Sequence, residues 1–241
     1  MAFRIFFIAW HVCVCLSFVW IIILPFRGWH WLYRFYLGGI LWGLRVFTGI
    51  THEWRGLQHI PPAPFILASK HQSAFETFAL PWLIPSLVFV VKQELLNIPV
   101  WGWFLGRTGA IGLDRGTKAS ALKKLLRQAD ARAKEQRPFC IFPQGTRTEP
   151  GAQRPYKPGV AALYAHLGWP VVPLALNSGL AWPGRGWPLP HHRGQHIVLE
   201  FLPVIPAGLD RETMMQQLEH AIETKTKALE DDQDNSPSRR A

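Results

Sequence analysis

Residues 64–91, PFILASKHQSAFETFALPWLIPSLVFVV, place two short apolar runs on either side of a polar tetrapeptide and a helical stretch. Pro64–Ser69 and Leu87–Val91 have the near-continuous apolar character of strands covered on both faces, and Ala74–Leu83 between them reads as helix. The alternation continues outward. Thr117–Gln136 is helical, with Leu122, Leu125, Leu126, Ala129 and Ala133 on one stripe and Lys123, Lys124, Arg127 and Arg132 elsewhere on its circumference. Phe139–Phe142 is a strand closed by Pro143, Gly159–Leu167 a helix, Val171–Leu176 and His196–Leu202 strands, and Asp210–Leu229 a final helix. Strands alternating with helices predict an α/β fold: a mixed, largely buried β-sheet flanked by helices. Residues 48–229 form this domain. The polar stretch Glu230–Ala241 is expected to be a disordered tail, and Ala181–Gly194, with prolines and glycines around two tryptophans, a surface loop at the membrane.

The amino-terminal end has another texture. Residues 5–24, IFFIAWHVCVCLSFVWIIIL, are interrupted only by His11 and Ser17. As a helix this run reaches about 30 Å, the thickness of a hydrocarbon core. It runs into Pro25 rather than the small residues of a cleavage site, which favours a retained anchor. Residues 28–50 interleave Trp29, Trp31, Tyr33, Tyr36 and Trp42 with Arg34 and Arg45, a mixture suited to the headgroup level. Residues 1–47 are therefore expected to be an N-terminal membrane-anchoring helical segment. A spanning helix and an in-and-out hairpin both fit, because arginines follow both stretches.

Composition narrows the partners. Of 241 residues, 49% are hydrophobic and 17% charged, which excludes a disordered chain. The net charge of +10 is unevenly placed. Residues 1–52 hold four arginines and no acid, and residues 53–209 hold 17 bases against 8 acids. A phosphate-bearing partner or an anionic membrane face fits that excess. No nucleic-acid-binding module is recognisable, and one would be out of place beside an apolar anchor. The three cysteines make no disulfide framework: Cys13 and Cys15 lie in the apolar run and Cys140 in a buried strand. Free thiols fit a reducing compartment, and no Cys/His spacing suggests zinc.

Four segments carry the chemistry. In Lys70-His71-Gln72-Ser73-Ala74-Phe75-Glu76 a histidine directly follows a strand, and a carboxylate opens the next helix. Five residues apart on one helix the two would diverge; across a loop-to-helix junction they can meet. A carboxylate on one imidazole nitrogen fixes the tautomer and leaves the other free to take a proton. Ser73-x-x-Glu76 is equally a capping box, in which Glu76 serves only the helix start. Gly109–Gly116 ends a short apolar run in Asp114-Arg115 between glycines, and Phe142-Pro143-Gln144-Gly145-Thr146-Arg147 again sets Gly and Arg after a strand. Such turns let a guanidinium approach an anion closely, though each alone is compatible with a plain surface turn. Val172-Pro173-Leu174 lies in a buried strand, with Asn177-Ser178-Gly179 beyond it.

In this order and at these separations, HQSAFE at 71–76, GAIGLDRG at 109–116, FPQGTR at 142–147 and VPL at 172–174 resemble the glycerolipid acyltransferase family, specifically its bacterial 1-acylglycerol-3-phosphate acyltransferases. The resemblance covers residues 48–205. It departs at Glu76, where the family carries Asp, and at Gln144, where it carries Glu. The resemblance implies transfer of a fatty acyl group from acyl-CoA or acyl-carrier protein to the sn-2 hydroxyl of lysophosphatidic acid, at the cytoplasmic face of a bacterial inner membrane. It implies His71 as general base, Glu76 as its partner, and Arg115, Gly145, Thr146 and Arg147 around the acceptor phosphate. Lys92 is a further candidate contact, and Gln144 and Pro173 belong to the substrate site. No metal or nucleotide cofactor is implied. No Gly-x-Ser-x-Gly elbow occurs and Cys140 is expected to be buried, so direct transfer needs no acyl-enzyme. Two rivals remain: the same chemistry on another lyso-lipid, such as a lyso-ornithine lipid, and a non-catalytic lipid-binding protein.

Overall fold

The computed structural model describes residues 1–23, 26–113, 118–182 and 194–234. In chain order the elements are helices α1 (Ala2–Phe18) and α2 (Phe26–Thr48), strand β1 (Thr51–Arg55), strand β2 (Ile66–Ser69), helix α3 (Phe75–Leu83) and strand β3 (Val88–Lys92). Short helices α4 (Gln93–Leu96) and α5 (Trp101–Arg107) lead to β4 (Ile111–Leu113), α6 (Lys118–Ala133), β5 (Phe139–Ile141) and α7 (Gly159–Leu167). The chain continues through β6 (Val171–Leu176), α8 (Ser178–Ala181) and β7 (His196–Phe201), and α9 (Arg211–Asp234) closes the described fold.

Seven strands make one sheet in the order β1-β7-β6-β2-β5-β3-β4. The five strands from β6 to β4 are mutually parallel, while β7 runs antiparallel to β6 and β1 follows β7. β2 lies at the centre, all four of its residues buried, with Leu67 opposite Cys140 of β5 and Val172 of β6. The mixed, helix-flanked sheet expected from the alternation is present.

The period of two along each strand divides the core between two faces. Leu67, Cys140, Val172 and Leu174 pack with Phe75, Ala79 and Leu80 of α3, and Phe3, Leu41 and Leu44 of α1 and α2 join the same cluster. Ile66, Ala68, Phe139 and Ile141 face the other way, onto Leu125 and Ala129 of α6, Val160 and Leu163 of α7, and Met214, Leu218 and Ile222 of α9. Helix starts are set locally: Asp210 accepts from the Glu212 and Thr213 amides at 3.0 and 2.9 Å, capping α9.

Three sequence expectations change. First, α1 and α2 form an antiparallel pair built into the body, and no described helix is long and apolar enough to cross a membrane. The apolar run breaks because α1 ends at Phe18 and gives way to a 3₁₀ turn over Val19–Ile23. The two helices approach closely at Gly39, where an added Cβ would stand 2.2 Å from the Trp10 ring. Second, Ala181 and Trp182 are core residues rather than loop; Trp182 stacks with Phe78. Residues 183–193 of the expected loop lie outside the described residues. Third, α9 continues through the expected tail as far as Asp234, because Glu230 and Gln233 find partners on the body. Residues 235–241 lie outside the described residues.

Candidate active site

Parallel strands put their carboxyl ends on one edge, and ligands of open α/β sheets gather there. Along that edge stand Lys92 after β3, Phe142–Arg147 after β5, Lys70-His71 after β2 and Asn177-Ser178 after β6. Segments up to about 107 residues apart in sequence become neighbours because β2 sits between β5 and β6.

His71 leaves β2 in the loop, and Glu76 enters the first turn of α3. The imidazole Nδ1 lies 2.9 Å from Glu76 Oε1. The same oxygen accepts from the backbone amides of Gln72 and Ser73, at 2.7 and 2.8 Å. Ser73 Oγ meanwhile accepts from the Phe75 amide at 3.0 Å. Glu76 thus serves both the helix start and the histidine, alternatives in the sequence, although the Ser73 hydroxyl takes the Phe75 amide rather than the Glu76 amide of a full capping box. The second carboxylate oxygen receives the Ser73 and Ser178 hydroxyls, each at 2.8 Å.

Glu76 is fully buried, which by itself pushes its carboxyl up. The hydrogen bond and charge of His71, with the Ser73 amide, outweigh burial and hold it below the ordinary carboxylate range. With Glu76 ionised, Nδ1 carries the proton it donates, and Nε2 is the basic nitrogen. Among the described residues nothing hydrogen-bonds Nε2. The ring keeps 14% exposure and stacks on Phe142, centroids 4.0 Å apart and planes at 18°. The His71 carbonyl accepts from the Thr148 amide at 2.8 Å, tying this loop to the one after β5.

The remaining candidates fall into place unevenly. Gly145 adopts φ +67°, a turn conformation that favours glycine, and lies exposed beside half-buried Thr146 and Arg147. Lys92 is exposed at the end of β3. Arg115 lies outside the described residues, just past β4. Gln144 turns inward: it is buried and donates to Glu223 of α9 at 3.2 Å. Pro173 is buried within β6 opposite Ala68, a sheet position rather than a cleft one. Cys140 is fully buried, and burial followed by the Glu76 charge pushes its thiol well up, so it is no ready nucleophile. Sequence reasoning did not assign roles to Phe142, Ser178 or Glu223. Ser178 had a signal, a hydroxyl just past a strand end; Glu223 had none, being one of many polar residues on the last helix.

A buried carboxylate orienting a partly exposed imidazole beside a basic, glycine-containing turn is an arrangement able to serve as a general base toward an anionic substrate. The acyltransferase family model matches residues 52–177, a stretch holding both His71 and Arg147, and the chain belongs to that family. Among curated proteins it is 42% identical over 169 residues to the 1-acyl-sn-glycerol-3-phosphate acyltransferase of Pseudomonas aeruginosa, covering 68% of this chain and 65% of that one. It is 29% identical over 137 residues to human 1-acyl-sn-glycerol-3-phosphate acyltransferase alpha, covering 56% and 48%. The matches thus span between about half and two thirds of those relatives' own lengths. The crystal structure of the 1-acyl-sn-glycerophosphate (LPA) acyltransferase from Thermotoga maritima superposes with a TM-score of 0.61 at 17% identity, over 90% of this chain and 94% of that one, and shares the fold.

Proposed function

We propose that the protein transfers a fatty acyl group from an acyl thioester, acyl-CoA or acyl-carrier protein, to the sn-2 hydroxyl of 1-acylglycerol-3-phosphate, making phosphatidic acid. One observation carries this: the His71 Nδ1 contact to a buried, ionised Glu76 at 2.9 Å, with Nε2 left for substrate. Nε2 takes the proton of the acceptor hydroxyl as its oxygen attacks the thioester carbonyl carbon. Glu76 stabilises the imidazolium so formed, the C–S bond breaks, and the proton passes to the leaving thiolate. Thr146 and Arg147 on the turn after β5 hold the acceptor phosphate, with Lys92 and Arg115 contributing from the neighbouring strand ends. The names of the relatives support this acceptor, and the acyltransferase family to which the chain belongs supports the reaction class.

The protein works at a membrane surface, the cytoplasmic face of a bacterial inner membrane. Support comes from two exposed apolar stripes: Ile5, Ile8, Val12 and Leu16 on α1, and Trp31, Phe35, Trp42 and Val46 on α2.

The test is acyl transfer by the purified protein with lysophosphatidic acid and a lyso-ornithine lipid as parallel acceptors. Phosphatidic acid should form, and His71→Ala should lower kcat by about 10²–10⁴ with an unchanged melting temperature. Arg147→Ala should raise the KM for lysophosphatidic acid roughly ten- to hundredfold and leave that of the thioester unmoved. Turnover of the ornithine lipid alone would reassign the acceptor. Turnover of neither would leave a lipid-binding protein.

A further inference from the structure

We propose that Glu223 of α9 is a positioning residue for His71, supplying from a distant helix the negative charge that Gln144 lacks. The inference rests on the acyl-transfer role of His71 given above. Lys70, joined directly to His71, buries its ammonium at 1% exposure, with Nζ 2.5 Å from Glu223 Oε2. A buried ammonium stripped of its counter-ion is strongly destabilising, so the placement of Lys70 depends on that carboxylate. The other oxygen, Oε1, accepts from Tyr156 Oη at 2.9 Å and from Gln144 Nε2 at 3.2 Å. One carboxylate therefore gathers the loop after β2, the loop after β5 and the approach to α7.

The amide at position 144 matches this arrangement. A carboxylate there would stand about 3 Å from Glu223, and one of the two would have to take up a proton. Gln144 donates instead. In the family pattern that the FPQGTR segment resembles, this position is Glu. Here the amide stands on the loop and the acid on α9, so the cluster holds one ammonium and one carboxylate.

Two turns further along α9, Glu230 repeats the contact from the other side of the histidine. Its Oε1 accepts from Gln72 Nε2 at 2.5 Å and its Oε2 from the Gly151 amide at 2.9 Å. The residues before and after His71 are thus both fastened to α9, while the ring is fastened to Glu76. An imidazole displaced by about 1 Å can cost a hundredfold in rate, which is the scale on which such fastening acts.

The experiment compares the full-length wild type, Glu223→Gln, Gln144→Glu and the double variant Gln144→Glu/Glu223→Gln, each assayed well below its melting temperature. Tyr156→Phe, which deletes a single hydroxyl, serves as a mild variant should Glu223→Gln fail to fold. Glu223→Gln is expected to lower kcat ten- to hundredfold while changing the KM for either substrate less than about threefold. Tyr156→Phe should lower kcat about threefold in the same pattern. The double variant should recover kcat to within about threefold of wild type, because the cluster again holds one ammonium and one carboxylate joined through the 144–223 hydrogen bond. The downfield NMR signal of the His71 Nδ1 proton should persist in wild type and double variant and broaden in Glu223→Gln. That signal does not depend on which acceptor the enzyme uses, so an acceptor misassigned above would leave this comparison intact. Normal kcat with a lowered melting temperature in Glu223→Gln, or a raised KM with kcat intact, would overturn the proposal. So would a double variant no better than the single ones.

Discussion

Glu76 Oε1 accepts from an imidazole and two backbone amides at once, and that convergence explains why an ionised carboxylate can lie fully buried. Hydrogen bonds to a charged group contribute about 1.5–3 kcal/mol each, enough together to offset desolvation. A sign follows for pH. The folded-state pKa of Glu76 is depressed, so its contribution to stability is fully present above the unfolded value, about 4.3, and is lost as pH falls through the folded value. Glu76→Gln should therefore lower the melting temperature clearly at pH 7 and by progressively less as pH drops below about 4.3. Calorimetry of both proteins across pH 3–8 checks it; a gap independent of pH would mean that shape, not charge, matters at this position. The His71–Glu76 pair was legible in the sequence because both members lie within seven residues of a strand end. Lys70 gave no such signal: a lysine beside a histidine in a polar loop reads as solvated, and its burial depends on a carboxylate 153 positions away.

Among the elements, α9 departs furthest from its sequence pattern. Its apolar residues Met214, Leu218 and Ile222 announce an amphipathic helix, and β2, β3, β5, β6, β7, α3, α6 and α7 follow equally from periodicity and apolar runs, unlike β1 and the short helices α4, α5 and α8. Where the helix stops does not. Glu230, Asp231 and Asp232 look like the start of a solvated tail, yet Glu230 is buried against Gln72 and Gly151, and Gln233 accepts from Asn177 at 2.7 Å. Tertiary partners extend a helix that local composition would end. Truncation after Leu229 should accordingly cost about 2–4 kcal/mol, a fall of roughly 4–16 °C in melting temperature for a chain of this size, whereas truncation after Asp234 should not. Thermal unfolding of the two shortened proteins checks this, and equal melting temperatures would restore the tail to irrelevance. The amino-terminal pair differs from a single spanning helix. Its hydrophobicity predicts an anchor, and Phe3, Leu41 and Leu44 spend part of that apolar surface on the body's own core as well.

At the scale of the whole molecule, the proposed contact with lipid rests on what remains exposed of α1 and α2. Burying one large apolar side chain is worth about 1.5–3 kcal/mol, so four on each helix suffice for firm adsorption without a spanning segment. Trp42→Glu with Val46→Glu should reduce sedimentation with anionic vesicles at least tenfold and leave the melting temperature unchanged, both side chains being more than half exposed. Undiminished sedimentation would put the lipid contact elsewhere. The direction of the strands has a separate consequence. Because β2 to β6 end on one edge, the turns at the other include Gly168 between α7 and β6 and, past the bridge of Ile205 to Val171, Gly208 ahead of α9, both with open space around a would-be side chain. A handle inserted at either turn would immobilise the protein on a bead or sensor chip with the His71 edge facing outward.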